Sequence, residues 1–175
     1  RPLALTWEDR KLNAIIEAWH GGSEAARALA DILFGDVTPS GKLTTSFPRS
    51  VGQIPIYYNA KNTGRPMDQN DRNTSKYLDI TNDPLYPFGY GLSYTTFEYG
   101  DMSLDKTVVN GEDEQLTVRI KVTNTGDRAG EEVVQLYIGD PVASISRPLK
   151  ELRNFAKIFL QPKESKEITF TISIE

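Results

Sequence analysis

A strict alternation of apolar and polar residues near the end of the chain constrains its fold more than any other feature. The stretches "QLTVRIKVTN" and "EITFTISI" each place four apolar side chains on one face. These side chains are Leu116, Val118, Ile120 and Val122 in the first stretch, and Ile168, Phe170, Ile172 and Ile174 in the second. A period of two residues predicts β-strands with one buried face, which is typical of antiparallel sheets.

Three further segments between residues 97 and 160 complete the predicted β region. "FEYGDMSLDK" is predicted as a first strand, and "EEVVQLYIGD" and "LKELRNFAKIFL" as two more. "NTGDRAG" (124–130) and "QPKES" (161–165) have the composition of turns between strands. About five strands are therefore predicted for an antiparallel sandwich, whereas an immunoglobulin-like or fibronectin-like domain has about seven. The missing strands are expected beyond Glu175.

The first third of the chain mixes helix and strand. "TWEDRKLN" predicts a helix that opens at Thr6, and the apolar run "AIIEAW" (Ala14 to Trp19) predicts a strand. The clearest helix follows, with Ser23 as a possible N-cap and Gly35 as a left-handed C-terminal cap. A strand followed closely by a helix favours the last units of an α/β sheet. The predicted fold class is thus an α/β fragment followed by an all-β immunoglobulin-like sandwich.

The two predicted regions are joined by a segment with little periodicity, from about residue 44 to residue 87. It is too long for a simple connection, so we interpret it as a functional loop or as a wrap across a domain boundary. It leads into "FGYGLSYTTF" (88–97), which combines four aromatic residues with two glycines. A buried strand rarely carries two glycines and a flexible linker rarely carries such aromatic surface, so this run is predicted to be a fixed, packed junction.

Composition excludes several functional classes. The net charge is −4 with acidic and basic residues interleaved, so nucleic acid is not an expected partner. No apolar run approaches the ~18 residues of a membrane-spanning helix, so no membrane association is expected. The chain has no cysteine and a single histidine, so neither a thiolate nor a histidine cluster can bind a metal, and no cofactor is predicted. A start at Arg1 without methionine and a stop in an alternating stretch are interpreted as the ends of a piece of a longer protein.

Several segments together resemble the C-terminal part of family 3 glycoside hydrolases. They are "AWHGGSEAARALADILFGDVTPSGKLTTSFPRSVGQIPIYYN", "NTGRP", "LYPFGYGLSYTTFEY", "VTNTGDRAGEEVVQLYIGD" and "ISRPLKELRNFAKIFLQPKES", in the order in which that family has them. The resemblance is greatest to bacterial β-glucosidases. It implies that residues 1–60 end an α/β sandwich domain, that 61–92 form an irregular linker, and that 93–175 are most of a fibronectin type III-like domain.

The resemblance also implies an activity for the longer protein. Such enzymes are retaining β-glycosidases that use an aspartate nucleophile and a glutamate acid/base about 5 Å apart. In the family both residues lie upstream of the matching segments, so no catalytic residue is carried over to this chain. The implied substrate is a β-linked oligosaccharide or glucoside, and the implied location is periplasmic or secreted.

The residues themselves offer few catalytic candidates. Glu112, Asp113 and Glu114 in one stretch, and Glu131 and Glu132 in another, are predicted to flank solvent-facing turns. The single histidine, His20, follows the predicted strand beside Trp19, so a packed position at the strand end is favoured over a catalytic base. "GDVTPSGKL" has the wrong spacing for a phosphate-binding loop, and "GYGLSY" lacks the third glycine of a dinucleotide-binding motif.

One segment carries a hypothesis of sugar binding. "YYNAKNTGRP" and "SKYLD" offer a mixture of aromatic and polar side chains: Tyr57, Tyr58, Asn62, Arg65, Tyr77 and Asp79. Sugar sites use such mixtures for stacking and for hydrogen bonds to hydroxyl groups. We predict that Arg65 and Tyr77 border the sugar pocket of the complete enzyme. The alternative is that these side chains only tie the linker to its neighbours.

Three functions remain open from the sequence. The first is a structural part of a β-glucosidase-like enzyme, which packs against missing N-terminal domains. The second is a stand-alone module that binds carbohydrate or a protein partner, and the third is an unrecognised small enzyme. Because half of an α/β domain exposes strand edges and apolar faces, the isolated chain is expected to self-associate or to be partly disordered around residues 60–80.

Overall fold

The computed structural model describes residues 2–68, 70–111 and 114–173, and it is rich in β-strand with few helices. Its helices are α1 (Thr6–Lys11), α2 (Ala25–Phe34) and a 3-10 helix (Val51–Gln53). Its strands are β1 (Phe97–Tyr99), β2 (Ser103–Leu104), β3 (Gln115–Asn124), β4 (Gly130–Ile138), β5 (Glu151–Leu160) and β6 (Ser165–Ser173).

The chain divides into two compact units. One unit comprises residues 1–25, 42–90 and 138–151, and the other comprises residues 26–41, 91–137 and 152–175. Helix α2 lies in the second unit except for its first residue, Ala25. The same unit holds nearly all of the strand residues.

Strand β3 is the centre of a four-stranded sheet in the second unit. It pairs antiparallel with β6 along its whole length, from Gln115 opposite Ser173 to Thr123 opposite Ser165. On its other side β3 pairs antiparallel with the short strands β1 and β2. The prediction of "QLTVRIKVTN" and "EITFTISI" as half-buried strands is confirmed, while Ile174 lies outside the described residues.

The hydrophobic core of this unit follows the predicted alternation. Apolar side chains of β3 and β6 meet those of β4 and β5, which form a two-stranded sheet. The buried members are Val118, Val122, Val134, Ile158, Leu160, Ile168 and Phe170. Burial of each such side chain stabilises the fold by about 1.5–3 kcal/mol relative to its exposure.

The inward face of β3 ends at a polar side chain, Asn124, which is 0% exposed. Its Nδ2 atom donates to the carbonyl oxygens of Arg128, at 2.7 Å, and Leu160, at 3.2 Å. Its Oδ1 atom accepts from the Thr95 hydroxyl at 2.7 Å and from the Gly126 N–H at 3.1 Å. A single amide therefore ties the chain before β1, the β3–β4 turn and the end of β5 together.

Helix α2 begins at Ala25 and ends where the sequence predicted. Gly35 follows it with φ +81°, the left-handed conformation that glycine adopts at low cost. The Gly35 carbonyl accepts a hydrogen bond from Arg128 Nη1 at 3.2 Å, and the Ile32 carbonyl accepts one from the Tyr94 hydroxyl at 2.8 Å. These bonds satisfy carbonyl groups at the end of the helix that have no partner within it.

Two predictions of secondary structure need correction. The apolar run Ala14–Trp19 forms no strand, and its residues are exposed in the described chain. A strand requires a neighbour to pair with its backbone, and no described segment pairs with this run. "FEYGDMSLDK" forms two short strands, β1 and β2, instead of one, with Gly100, Asp101 and Met102 between them.

The first three residues of the aromatic run 88–97 are packed within the first unit, whereas Leu92 and Tyr94 further along it are exposed. In the first unit Phe88 stacks on Tyr58, with ring centroids 4.1 Å apart, and Tyr90 stacks on Tyr86 at 5.3 Å. Gly89 has φ +81°, and its N–H donates to the Leu43 carbonyl at 2.7 Å. The run then continues into β1 at residue 97.

Phe47 is the centre of the packing in the first unit. It is 1% exposed, and its ring makes edge contacts with those of Trp19 and Tyr86. Its N–H donates to the Tyr86 carbonyl at 2.8 Å, and its own carbonyl accepts from the Leu85 N–H at 2.8 Å. This short antiparallel pairing holds the segments around residues 47 and 86 together.

Candidate functional site

Arg65 and Tyr77, the two residues predicted to border a sugar pocket, lie on an irregular part of the first unit. Both are exposed, Tyr77 at 40%. The Arg65 carbonyl accepts a hydrogen bond from the Ser75 N–H at 3.1 Å. The backbone at Arg65 is thereby joined to a residue only two positions before Tyr77.

The side-chain amide of Asn82 connects this segment to the chain that follows it. Its Nδ2 atom donates to the Ser75 carbonyl at 2.7 Å, and its Oδ1 atom accepts from the Tyr77 N–H at 3.2 Å. One amide thus satisfies a carbonyl and an N–H two residues apart, as a neighbouring β-strand would. Sequence reasoning missed Asn82, because "TNDP" has only the composition of a turn.

A buried glutamine fixes the residues on either side of Asn82. Gln53 is 2% exposed, and its Nε2 atom donates to the carbonyls of Thr81, at 2.9 Å, and Asp83, at 3.3 Å. Its Oε1 atom accepts from the Arg49 N–H at 2.6 Å, and Arg49 Nε donates to the Asp83 carbonyl at 3.2 Å. The backbone around Asn82 is therefore anchored to the well-packed segment that contains Phe47.

The loop between Arg65 and Tyr77 is closed by its own side chains. Lys76 Nζ donates to the carbonyls of Asp68, at 2.9 Å, and Asp71, at 3.0 Å. The Thr74 hydroxyl lies 3.1 Å and 2.8 Å from the same two carbonyls and accepts from the Asp68 N–H at 3.2 Å. The loop is thus held by polar contacts and not by apolar packing.

An open groove of about 670 Å³ runs along this loop. Its lining is mostly polar and includes a guanidinium, two carboxylates, an amide and a hydroxyl. The lining residues are Gly64, Arg65, Pro66, Asp68, Asp71, Asn73 and Thr74. Such a surface can exchange hydrogen bonds with a polyhydroxylated ligand.

The other predicted members of the sugar-binding segment have different environments. Tyr57 is 66% exposed, and Asp79 is exposed. Tyr58 stacks on Phe88 and so belongs to the packing of the first unit. Asn62 Oδ1 accepts from the Gly64 N–H at 3.0 Å, which shapes the turn before Arg65.

The environment predicted for His20 is wrong. His20 is exposed in the described chain, and the strand that would have ended beside it is absent. Its neighbour Trp19 has a φ of +50° and contacts the ring of Phe47 instead. His20 is thus not a packed residue at the end of a strand.

The carboxylate pair of "GEE", Glu131 and Glu132, opens β4 beside the predicted turn, but the solvent-facing environment predicted for Glu132 is wrong. Glu132 is 7% exposed and accepts from the Tyr99 hydroxyl at 2.8 Å. Burial, together with this hydrogen bond, raises the pKa of Tyr99 well above its ordinary value. Glu131 is half-exposed, and the hydrogen bond from Lys157, 2.6 Å away, lowers the pKa of its carboxyl.

The remaining carboxylates predicted to flank a solvent-facing turn are Glu112, Asp113 and Glu114. Glu112 and Asp113 lie outside the described residues. Glu114 pairs with Lys106 Nζ at 3.2 Å. An exposed pair of this kind contributes less than about 1 kcal/mol to stability.

The described residues contain neither a metal-binding cluster nor a membrane-spanning helix. Within residues 2–68, 70–111 and 114–173 there is no group of three or more histidine, cysteine, aspartate or glutamate side chains that could hold a metal ion. Over the same ranges, the helices are too short and too polar to cross a membrane.

Comparison with known families and proteins gives matches along the chain. The profile of the glycosyl hydrolase family 3 C-terminal domain matches residues 1–94, and that of the fibronectin type III-like domain matches residues 132–175. A periplasmic β-glucosidase of Salmonella typhimurium is 54% identical over 177 residues, which cover 100% of this chain and 23% of that protein. A β-xylosidase of Formosa agariphila is 45% identical over 177 residues, with the same shares covered.

A solved structure extends the similarity to three dimensions. The crystal structure of a β-glucosidase from Listeria innocua in complex with glucose superimposes with a TM-score of 0.92 and 47% identity. The match covers 99% of this chain and 24% of that protein. The chain therefore spans about a quarter of the length of the relatives that it matches.

Proposed function

Because this chain belongs to glycosyl hydrolase family 3, we propose that it is the C-terminal part of a retaining, β-glucosidase-like exo-glycosidase that hydrolyses terminal β-linked sugars. The observation that carries the proposal is the 54% identity to a periplasmic β-glucosidase along 100% of the chain. Identity at that level, without a gap in coverage, favours a common activity for the complete proteins.

The chain contributes structure and not the catalytic carboxylates to this activity. A retaining mechanism needs a nucleophile and an acid/base about 5 Å apart. The carboxylates Glu131 and Glu132 are engaged by Lys157 and Tyr99, and they lie within β4, in the sandwich-like unit. We therefore assign the nucleophile and the acid/base to the part of the enzyme that this chain does not include.

The same proposal extends to the finer domain organisation. Residues 1–60 are the end of an α/β sandwich domain, 61–92 an irregular linker and 93–175 most of a fibronectin type III-like domain. The family match to residues 1–94 ends close to the proposed boundary at 92/93, and the match to residues 132–175 lies within the third segment. Trp7 and Phe34, which are 65% and 85% exposed, support a further proposal that the chain packs against the N-terminal domains of the complete enzyme.

Arg65 and Tyr77 form the rim of the sugar pocket in this proposal. The guanidinium of Arg65 can donate to sugar hydroxyl groups, and the exposed ring of Tyr77 can stack on a sugar face. The backbone link through Ser75 supports their joint role, and the polar groove, which Arg65 lines and Tyr77 does not, supports that of Arg65. In the full-length protein, Arg65→Ala should lower kcat/KM for a β-glucoside by about tenfold or more, since a hydrogen bond from a charged group is worth about 1.5–3 kcal/mol. Tyr77→Ala should lower it by about twofold to tenfold, since an aromatic stacking contact is worth about 0.5–1.5 kcal/mol.

A matched control is available in the same loop. Arg72 is exposed and does not line the groove, so Arg72→Ala removes an arginine without removing the proposed contact. Unchanged kcat/KM in Arg65→Ala and Tyr77→Ala would contradict the proposal that these residues border the sugar pocket. Equal losses in Arg72→Ala would also contradict it, because they would report a general effect on the loop.

The activity itself is tested by hydrolysis of an aryl β-glucoside at high enzyme concentration. The 175-residue chain and the full-length protein are assayed side by side. Turnover by the full-length protein alone is expected. Turnover by the chain that survives repurification would place the catalytic carboxylates among its own residues and would overturn the assignment.

Two further proposals concern location and association. A periplasmic or secreted location is supported by the relative that is named a periplasmic β-glucosidase. Self-association of the isolated chain follows from its exposed apolar side chains, such as Leu33 at 65% and Phe34 at 85%. Sedimentation of the isolated chain as a monomer would contradict the second proposal.

A further inference from the structure

We infer that Asn82 is the positioning residue that sets Arg65 and Tyr77 in register with each other and with the rest of the first unit. The inference rests on the proposed sugar rim, and it concerns a residue with no role in the predicted site. It starts from the two hydrogen bonds of one amide, to the Ser75 carbonyl and from the Tyr77 N–H.

The first step is that both rim residues depend on Ser75 or its neighbours. Ser75 N–H donates to the Arg65 carbonyl, so the position of Ser75 determines that of the Arg65 backbone. Asn82 Nδ2 holds the Ser75 carbonyl at 2.7 Å on the other side of the same residue. Asn82 Oδ1 holds Tyr77 directly. A displacement at Asn82 is therefore transmitted to both rim residues.

The second step is that Asn82 is itself immobilised. Gln53, which is 2% exposed, donates to the carbonyls of Thr81 and Asp83 on either side of it. The Thr81 hydroxyl also donates to the Asp83 carboxylate at 3.0 Å. The amide of Asn82 is thus a fixed support, whereas most of the described residues between 65 and 77 are exposed and are held by polar contacts.

The third step is chemical. Asparagine is suited to this position because its amide carries a donor and an acceptor, and the two contacts need one of each. Aspartate would keep the acceptor for the Tyr77 N–H, but it would place a second oxygen against the Ser75 carbonyl. Leucine has the same branching of side-chain heavy atoms and offers neither contact. The two substitutions therefore separate loss of one hydrogen bond from loss of both.

The test is a double-mutant cycle on the full-length protein. Asn82→Leu and Asn82→Asp are made in the natural background and in an Arg65→Ala/Tyr77→Ala background, and kcat and KM are measured with a β-linked disaccharide. In the natural background we expect kcat/KM to fall about tenfold or more, mainly through KM, because small misplacements of binding groups cost up to ~10²-fold. In the double-alanine background we expect the effect of Asn82→Leu to fall below about twofold, since no rim side chains remain to be positioned.

A control and a folding measurement accompany the cycle. Asn110 is exposed in the other unit, so Asn110→Leu and Asn110→Asp match the chemical changes without touching the rim. The Tm of every variant is recorded, because a merely structural role would lower Tm and activity alike in both backgrounds. If Asn82→Leu fails to fold, Asn82→Asp, which keeps one of the two contacts, carries the cycle.

Each remaining outcome contradicts the inference. Equal losses of kcat/KM in the two backgrounds would make Asn82 a general structural residue. A loss confined to kcat would show that it acts on the chemical step and not on the rim. If Arg65→Ala/Tyr77→Ala alone leaves kcat/KM unchanged while the protein still hydrolyses the disaccharide, both the rim and its positioning residue are wrong, and the proposed activity stands.

Discussion

Replacement of Asn124 by leucine should open the second unit at the point where three of its segments meet. Asn124 is 0% exposed, and its amide makes four hydrogen bonds, to Thr95, Gly126, Arg128 and Leu160. Leucine has the same number and branching of side-chain heavy atoms but can make none of them. The groups that lose their partner must then find water or remain unsatisfied.

The size of the expected fall in the free energy of unfolding depends on which of these hydrogen bonds are buried. The contacts to the Thr95 hydroxyl and to the Leu160 carbonyl are buried, whereas those to Gly126 and Arg128 are only part-buried. Each unsatisfied buried group costs about 1–3 kcal/mol. Counting only the two buried partners, the free energy of unfolding of this unit should fall by about 2–6 kcal/mol.

Native-state hydrogen exchange on the full-length protein measures this change where it occurs. A loss of about 2 kcal/mol accelerates exchange through opening by about 30-fold, and larger losses accelerate it more. The amides to follow are those of β3 and β6, which pair along their whole length. Amides in the first unit, such as that of Phe47, should keep their exchange rates, because they belong to a different compact unit.

Asn154 offers a matched control within β5. Its Oδ1 atom makes one contact, 2.9 Å from the N–H of the adjacent Phe155, and its side chain is only half-buried. Asn154→Leu should change exchange in β3 and β6 by less than about threefold. If Asn124→Leu has an effect no larger than this control, the view of Asn124 as the polar centre of the unit is refuted.

Three further changes have expected outcomes. Gly35→Ala forces a left-handed alanine at the end of α2, where φ is +81°, and should cost about 1 kcal/mol, measured as faster amide exchange in that helix. Burial, together with the hydrogen bond to Asp9, raises the pKa of Tyr86 from 10.0 to about 12. The neutral hydroxyl therefore stabilises the folded protein fully below pH 10, and this contribution is lost as the pH rises to about 12. Tyr86→Phe should remove it. Urea unfolding of the two proteins should therefore converge at the upper end of that range, and a constant difference would contradict the assignment. Lys157→Gln should raise the pKa of the Glu131 carboxyl in an NMR titration while lowering stability by less than about 1 kcal/mol, because both partners are about half-exposed.

The elements that the sequence predicted well are those in which buried residues recur at a regular local spacing. The strands β3 and β6 were visible because every second residue from Leu116 to Val122 is apolar, and the core confirms that face. The end of α2 was visible because Gly35 stands after a helical apolar pattern. In both cases the signal and the structure depend on neighbours a few residues apart.

The run Ala14–Trp19 shows why an apolar stretch alone does not establish a strand. Its composition suits burial on two faces, but a strand also needs the backbone of a neighbour, and the sequence of one segment contains no information about its partner. In the described chain no segment pairs with the run, and it has no regular structure. Pairing is a long-range property, so it could not be read from this stretch.

The misjudged polar residues have a different explanation, because the alternation itself indicated where they lie. Asn124 continues the inward series of β3 after Val122, and Glu132 occupies the inward series of β4 between Gly130 and Val134. Residue type favoured a solvent-facing position at or beside a turn in each case. Both residues are buried, because Tyr99 and Thr95, each about 30 residues away in sequence, supply the polar contacts that make burial possible.

The prediction of the candidate site was limited in both of these ways, by its reliance on residue type and by contacts that no local pattern marks. Arg65 and Tyr77 were chosen by residue type, and the structure adds the link between them through Ser75 and Asn82. That link uses one side chain whose partners lie five and seven residues earlier, and no periodic pattern marks it. In an irregular segment the chain has no ladder of backbone hydrogen bonds, so single polar side chains must supply the order that strands obtain from pairing. The amides of such segments are therefore where positioning residues are to be sought.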